Sequence, residues 1–186
     1  MVCNIELKMQ NKQFEDLSAL AAKAKDDPAA FGRLYDYYVQ PVFKYFYRRV
    51  DIQQDAEDLT SQTFIEAFES MRRYRERGQF AAWLFSIARH KLMDYYRRKS
   101  SRLPLEAAEK LAGERDALGQ RVQQDEELRR LQSLIQKLRD DEQDLIYLRY
   151  LAGLSYVEMA ELLEKNVEAV KKSVYRLLAR LKSQME

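Results

Sequence analysis

Glycine and proline are scarce in this chain, which has five of the first and three of the second among 186 residues. Strand-rich folds turn often and draw on these residues to do so, so helices are the default expectation. The one cysteine, Cys3, can close no internal disulfide, which fits a reducing compartment. One histidine, His90, and no glycine-rich phosphate loop leave no cluster for a metal or a nucleophile. No metal, no cofactor and no enzymatic activity are therefore expected. No stretch approaches the roughly 18 apolar residues of a membrane span, and the first thirty residues lack a basic segment followed by an apolar run. Secretion and direct membrane insertion are disfavoured.

Hydrophobic residues make up 46% and charged residues 33%, enough for cores and for a solvated surface. The net charge of +2 is uninformative, but its distribution is not. Asp51 to Glu69 carries six acids and no base, and Arg89 to Arg102 carries six bases against Asp94. Leu103 to Leu128 is acidic again, and Lys165 to Lys182 has six bases against Glu168. Alternating blocks of opposite sign suggest that different segments meet different partners.

Apolar spacing outlines the elements. Phe14 to Lys25 has a helical rhythm that Asp26-Asp27-Pro28 interrupts, and Pro28 suits the first turn of a second helix. That helix carries an aromatic stripe (Phe31, Tyr35, Tyr38, Phe43, Phe46) suited to core packing, with a kink or axis shift expected at Pro41. Asp55 to Tyr74 reads as a third helix. One side gathers Ala56, Leu59, Thr63, Phe64, Ala67, Phe68 and Met71; the other gathers Asp55, Asp58, Gln62, Glu66 and Glu69. A polar loop from Tyr74 to Gln79 precedes a fourth helix, which starts at Phe80 and ends in Arg97, Arg98 and Lys99. Residues 100–126, with Pro104, Gly113 and Gly119, read as a flexible linker holding at most a transient helix around Leu105 to Leu111. The expected fold is all-α: one small helical domain over 14–99 and a four-helix domain over 127–186.

The end of the chain has the layout of a helix-turn-helix. Ser155 and Glu158 form a capping box for its first helix. In the second, Val167, Val170, Val174, Leu177, Leu178 and Leu181 share a face and leave Glu168, Lys171, Lys172 and Tyr175 outward, with Arg176 and Arg180 flanking. Such a helix can enter a major groove, or it can be an ordinary solvated basic helix.

The segment GLSYVEMAELLEKNVEAVKKSVYRLLARL resembles the fourth conserved region of bacterial sigma factors. DPAAFGRLYDYYVQPVFKYFYRRV, DAEDLTSQTFIEAF and FAAWLFSIARHKLMDYYRRK resemble the second. The matches run in the right order over nearly the whole chain. No acidic first region is in view, and with a short linker this points to the extracytoplasmic-function group.

The resemblance implies a subunit that binds core RNA polymerase, through the β′ clamp helices and the β subunit, and directs it to promoter DNA. Asp55, Glu57, Asp58 and Gln62 would face the polymerase, although a solvated face with carboxylates at a helix start explains them too. Arg75, Arg77, Gln79, Arg89, His90, Lys91, Arg97 and Arg98 would contact the minus-ten element, with Glu76 and Gly78 completing the loop that holds an extruded base. Ser155, Tyr156, Glu168, Lys171, Lys172, Tyr175, Arg176 and Arg180 would contact the minus-thirty-five element. Trp83 suits packing better than DNA. The family also implies an anti-sigma factor as a further partner and a bacterial, cytoplasmic location, with the anti-sigma factor able to hold the chain at the membrane. His90, Glu164 and Arg139 depart from the family's usual Asn, Gly and Pro. Of these, His90 bears on minus-ten sequence and Glu164 on the helix-turn-helix turn. An autonomous regulator with a helical sensor domain would explain the carboxy half but would leave the acid row and the basic fourth helix without a purpose.

Overall fold

Helix formation starts where the sequence caps it. The computed structural model describes residues 17–50, 52–75, 80–102 and 126–185. Phe14, loop residues Glu76 to Gln79 and linker residues 103–125 lie outside them. A short helix α1 (17–23) precedes α2 (Pro28–Tyr47). The Asp27 carboxylate accepts from the Ala29 N–H at 2.9 Å, and Pro28 fills a first-turn position whose N–H would have no partner in any case. Pro41 does not end the helix; α2 runs through it as one element.

α3 (Gln53–Ser70) continues into a short 3-10 turn, Met71–Arg73. Its inward face is Ala56, Leu59, Thr60, Thr63, Phe64 and Ala67. The two buried threonine hydroxyls donate to the Ala56 and Leu59 carbonyls, each at 2.7 Å, so neither is left unsatisfied. Phe68 departs from expectation. It is 51% exposed, at the margin of the α2–α3 contact, where its ring meets Phe31 of α2 edge-on. α4 (Phe80–Arg102) extends three residues beyond the expected end and packs Leu84, Phe85, Ala88 and Leu92 against α2 and α3. Each large apolar side chain removed from water contributes roughly 1.5–3 kcal/mol, and Tyr45, Phe46, Phe85 and Leu34 are wholly buried.

In the second half, α5 (Glu126–Gln136) packs on α8 (Val167–Met185). α6 (Asp140–Ile146) widens into a π turn, Tyr147–Leu151, and α7 (Tyr156–Leu162) leads to α8. Gln143 of α6 is buried, and its amide donates to the Gln136 and Leu138 carbonyls at 3.2 and 2.9 Å, satisfying acceptors at the end of α5. The π turn closes with Ala152 N–H to Tyr147 O at 2.9 Å and exits through Gly153 at φ 72°. No neighbour crowds Gly153, so its backbone rather than its space calls for glycine.

The α7–α8 turn shows what Glu164 does in place of a glycine. Lys165 N–H bonds the Ala160 carbonyl at 2.9 Å in a Schellman closure, with Glu164 in the left-handed region at φ 53°. That conformation costs an L-residue about 1–2 kcal/mol, partly offset by the extra freedom a glycine loses on folding. Glu164→Gly is therefore expected to stabilise the second half by about 0.5–1 kcal/mol, read as a melting midpoint raised roughly 2–8 °C. An unchanged or lower midpoint would show that the turn carries no such strain.

The two halves touch. The end of α2 meets the π turn, and α4 meets α7. At the join, Asp144 of α6 accepts from Tyr45 at 3.1 Å, from Arg49 at 2.6 Å and from Arg89 at 3.1 Å.

Candidate polymerase and promoter surfaces

The acid row lies along the outside of α3 but is not uniform. Asp58 and Gln62 are exposed, and Glu57 is exposed while accepting from the Gln53 amide at 2.7 Å. Asp55 is half-buried and accepts from the Tyr95 hydroxyl of α4 at 2.8 Å, so part of its role is to tie α3 to α4. Ile65, which periodicity assigns to neither face, is 58% exposed on the same side, three residues beyond Gln62. Ile65 and Phe68 thus add an apolar margin to the carboxylates.

The basic fourth helix is similarly divided. Arg75, His90, Arg97 and Arg98 are exposed. Arg97 pairs with Asp94 at 2.9 Å, and Arg98 reaches the Asp94 carbonyl at 3.3 Å. Lys91 pairs with Glu66 of α3 at 2.5 Å. Arg89 is half-buried and pairs with Asp144 of the other half at 3.1 Å. Arg77 and Gln79 lie outside the described residues. Trp83 belongs to an aromatic cluster, 4.8 Å from Tyr74 and 5.5 Å from Phe80, with Tyr38 joining at 5.4 Å from Phe80. Burial drives the Tyr38 phenol well above its ordinary range, so it stays protonated.

On the helix-turn-helix, the Ser155 hydroxyl accepts from Glu158 N–H at 3.2 Å while the Glu158 carboxylate accepts from Ser155 N–H at 2.7 Å. α8 buries Val170, Val174, Leu177 and Leu181 and exposes Glu168, Lys172, Tyr175, Arg176 and Arg180, with Lys171 half-buried. The Glu168 N–H donates to Asn166 at 2.8 Å, making Asn166 the cap of α8. Tyr156 faces Tyr175 at 6.3 Å, and the Arg149 guanidinium lies 4.7 Å from the Tyr156 ring, a contribution from the π turn that sequence spacing does not reveal. Arg180 is not free of the fold. It pairs with Glu142 at 2.8 Å, and that hydrogen bond holds the Glu142 carboxyl below its ordinary range. Among the described residues no group of acidic, His or Cys side chains is arranged to hold a metal, and no helix is long and apolar enough to cross a membrane.

The described residues thus join a helix-turn-helix to a helical unit that carries an acidic row and a basic helix. Residues 34–102 match the Sigma-70 region 2 family, and residues 128–181 match Sigma-70, region 4. The RNA polymerase sigma factor YlaC of Bacillus subtilis is 30% identical over 158 residues, covering 82% of this chain and 90% of YlaC. The ECF RNA polymerase sigma factor BldN of Streptomyces coelicolor is 35% identical over 158 residues, again 82% of this chain but 59% of BldN. Among solved structures, CnrH in complex with the cytosolic domain of CnrY aligns with a TM-score of 0.65 at 25% identity, covering 89% of this chain and 94% of CnrH. RpoE in complex with the anti-sigma factor NepR from Bartonella quintana aligns with a TM-score of 0.70 at 19% identity and shares the fold.

The chain belongs to the sigma-70 family, and within it to the extracytoplasmic-function (ECF) RNA polymerase sigma factors. Such a subunit works with RNA polymerase in promoter-specific transcription initiation.

Proposed function

We propose that three surfaces divide the work of initiation. The exposed side of α3, led by Asp58 and Gln62 with Glu57 and Asp55 beside them, binds the β′ clamp helices, and the second half contacts the β subunit. Arg75, Arg77, Gln79, Arg89, His90, Lys91, Arg97 and Arg98 engage the minus-ten element. Tyr156, Lys171, Lys172, Tyr175, Arg176 and Arg180, together with the Ser155 end of α7 and Glu168, engage the minus-thirty-five element. The working units are residues 14–99 and 127–186. The chain performs no catalysis of its own and acts in the bacterial cytoplasm. An anti-sigma factor restrains it, and that factor can hold it at the membrane.

The observation that carries this reading is the sidedness of α8. One face is sealed into the core, and the opposite face offers Lys172, Tyr175 and Arg176 to solvent, as a helix lying in a major groove requires. Core polymerase with this chain is expected to initiate from its cognate promoter, while the chain alone binds that duplex weakly. Lys171→Ala or Lys172→Ala should weaken the holoenzyme's hold on the minus-thirty-five region roughly 3- to 10-fold and reduce the salt slope by about 0.9 for each phosphate left without its cation. A footprint and salt slope identical to wild type would reject the assignment.

A further inference from the structure

We infer that Glu168 reads a base on the minus-thirty-five surface and selects a cytosine in the major groove. The inference deepens the reading of α8 proposed above and rests on it. Glu168 is the one acid among six bases between Lys165 and Lys182. On a helix of about 3.6 residues per turn, Glu168, Lys172 and Tyr175 share the side of α8 opposite the buried Val170, Val174, Leu177 and Leu181, and all three are exposed. Glu168 is also the second residue of α8, and the N-terminal residues of a recognition helix are the ones that reach base edges.

Among the described residues the fold makes no use of this carboxylate. The backbone N–H of Glu168 donates to the Asn166 side chain at 2.8 Å, so another residue caps α8. Lys172 lies one turn further along the same side, at a spacing where ion pairs form on helix surfaces. Among the described residues, however, neither Glu168 nor Lys172 is paired. The acid is left pointing outward from a surface that otherwise suits phosphates. An acid in the first turn also suits the helix dipole, but that role is indifferent to which base lies opposite.

The chemistry of the groove names the base. An ionised carboxylate can only accept hydrogen bonds. Guanine offers it the acceptors N7 and O6, and thymine offers O4 and a methyl group, so both repel it. Adenine sets its N6 amine beside the lone pair of N7, whereas cytosine presents the N4 amine with no acceptor next to it. The carboxylate therefore selects cytosine as much by rejecting the other three bases as by the bond it makes. Lys172 keeps its phosphate role. At a rise of about 1.5 Å per residue its backbone sits roughly 6 Å from that of Glu168, which lets the ammonium follow the strand while the carboxylate turns to the base edges.

The test uses core polymerase with the full-length chain and a library of duplex promoters randomised over the minus-thirty-five region, recovered by binding and sequenced. The wild type should favour cytosine at one position by about tenfold. With Glu168→Gln that preference should move to adenine, whose N6 and N7 a glutamine amide meets with two hydrogen bonds, while the other positions keep theirs. Two single promoters, with C·G or A·T at that pair, should reverse their order of affinity between wild type and variant. An identical motif from both proteins would overturn the inference. So would a variant that binds every sequence more tightly with its motif unchanged, because the carboxylate would then do no more than repel phosphates. A wild-type library without preference anywhere in the minus-thirty-five region would overturn instead the reading of α8 itself. Glu168→Ala, which leaves the Asn166 cap in place, gives a second comparison: it should lose the preference at that position alone, and retention of cytosine there would reject the role.

Discussion

Replacing Phe85 with Ala is expected to unfold the first half of the chain at temperatures where the parent is fully folded. Phe85 is wholly buried and meets Tyr45 edge-on, with ring centroids 5.5 Å apart and planes at 83°. Truncating such a ring costs about 3–5 kcal/mol in lost transfer energy and residual cavity, against a total domain stability of about 5–15 kcal/mol. At about 4–8 °C per kcal/mol for a domain of this size, the midpoint should fall by roughly 12–40 °C, measurable by circular dichroism. Tyr175→Ala, on the exposed face of α8, should change stability by no more than about 0.5 kcal/mol. A loss below about 1.5 kcal/mol for Phe85→Ala would mean that the junction of α2 and α4 is packed more loosely than these ring geometries indicate.

Reversing one charge on α3 should have the largest effect on function. Asp58→Lys puts a cation where the polymerase surface is proposed to be basic, and like charges brought together in an interface cost several kcal/mol. Affinity for core polymerase is expected to fall at least 10- to 100-fold, less at high salt, with the melting temperature unchanged. Binding equal to wild type would remove α3 from the polymerase interface. Asp55 is a poorer probe although the sequence makes the two look equivalent. Its carboxylate accepts the Tyr95 hydroxyl, so substitution there also strips a cross-helix hydrogen bond worth about 1 kcal/mol and mixes stability with binding.

Features governed by neighbours in sequence are legible from it. The Ser155–Glu158 capping box, the Asp27–Pro28 start of α2 and the buried stripe of α8 all follow from local spacing and are present as expected. Phe68 escapes this logic because a helical wheel gives direction but not the extent of the covering helix, and only part of its ring is covered where it meets Phe31 of α2. The Asp144 cluster is invisible in the sequence for a different reason. Its partners lie 55 to 99 residues away, and Asp144 itself follows Asp140, Asp141 and Glu142 in what reads as a solvated acidic start to a helix. Charge alone groups Arg89 and Arg180 with the DNA-facing bases; it reports what a side chain can bind, not which partner is already beside it.

Lys91 and Glu66 join the basic helix to the acidic one. An ammonium held by a carboxylate is only partly available to a phosphate, and the carboxylate only partly available to another cation. Any basic surface that draws Glu66 away raises the positive potential left at Lys91. By thermodynamic reciprocity, a nucleic acid strand drawn to Lys91 returns the same free energy to whatever holds Glu66. On the surfaces proposed above, grip on the enzyme beside Glu66 and grip on the template at Lys91 would be coupled through one pair of side chains, with no change in the backbone required.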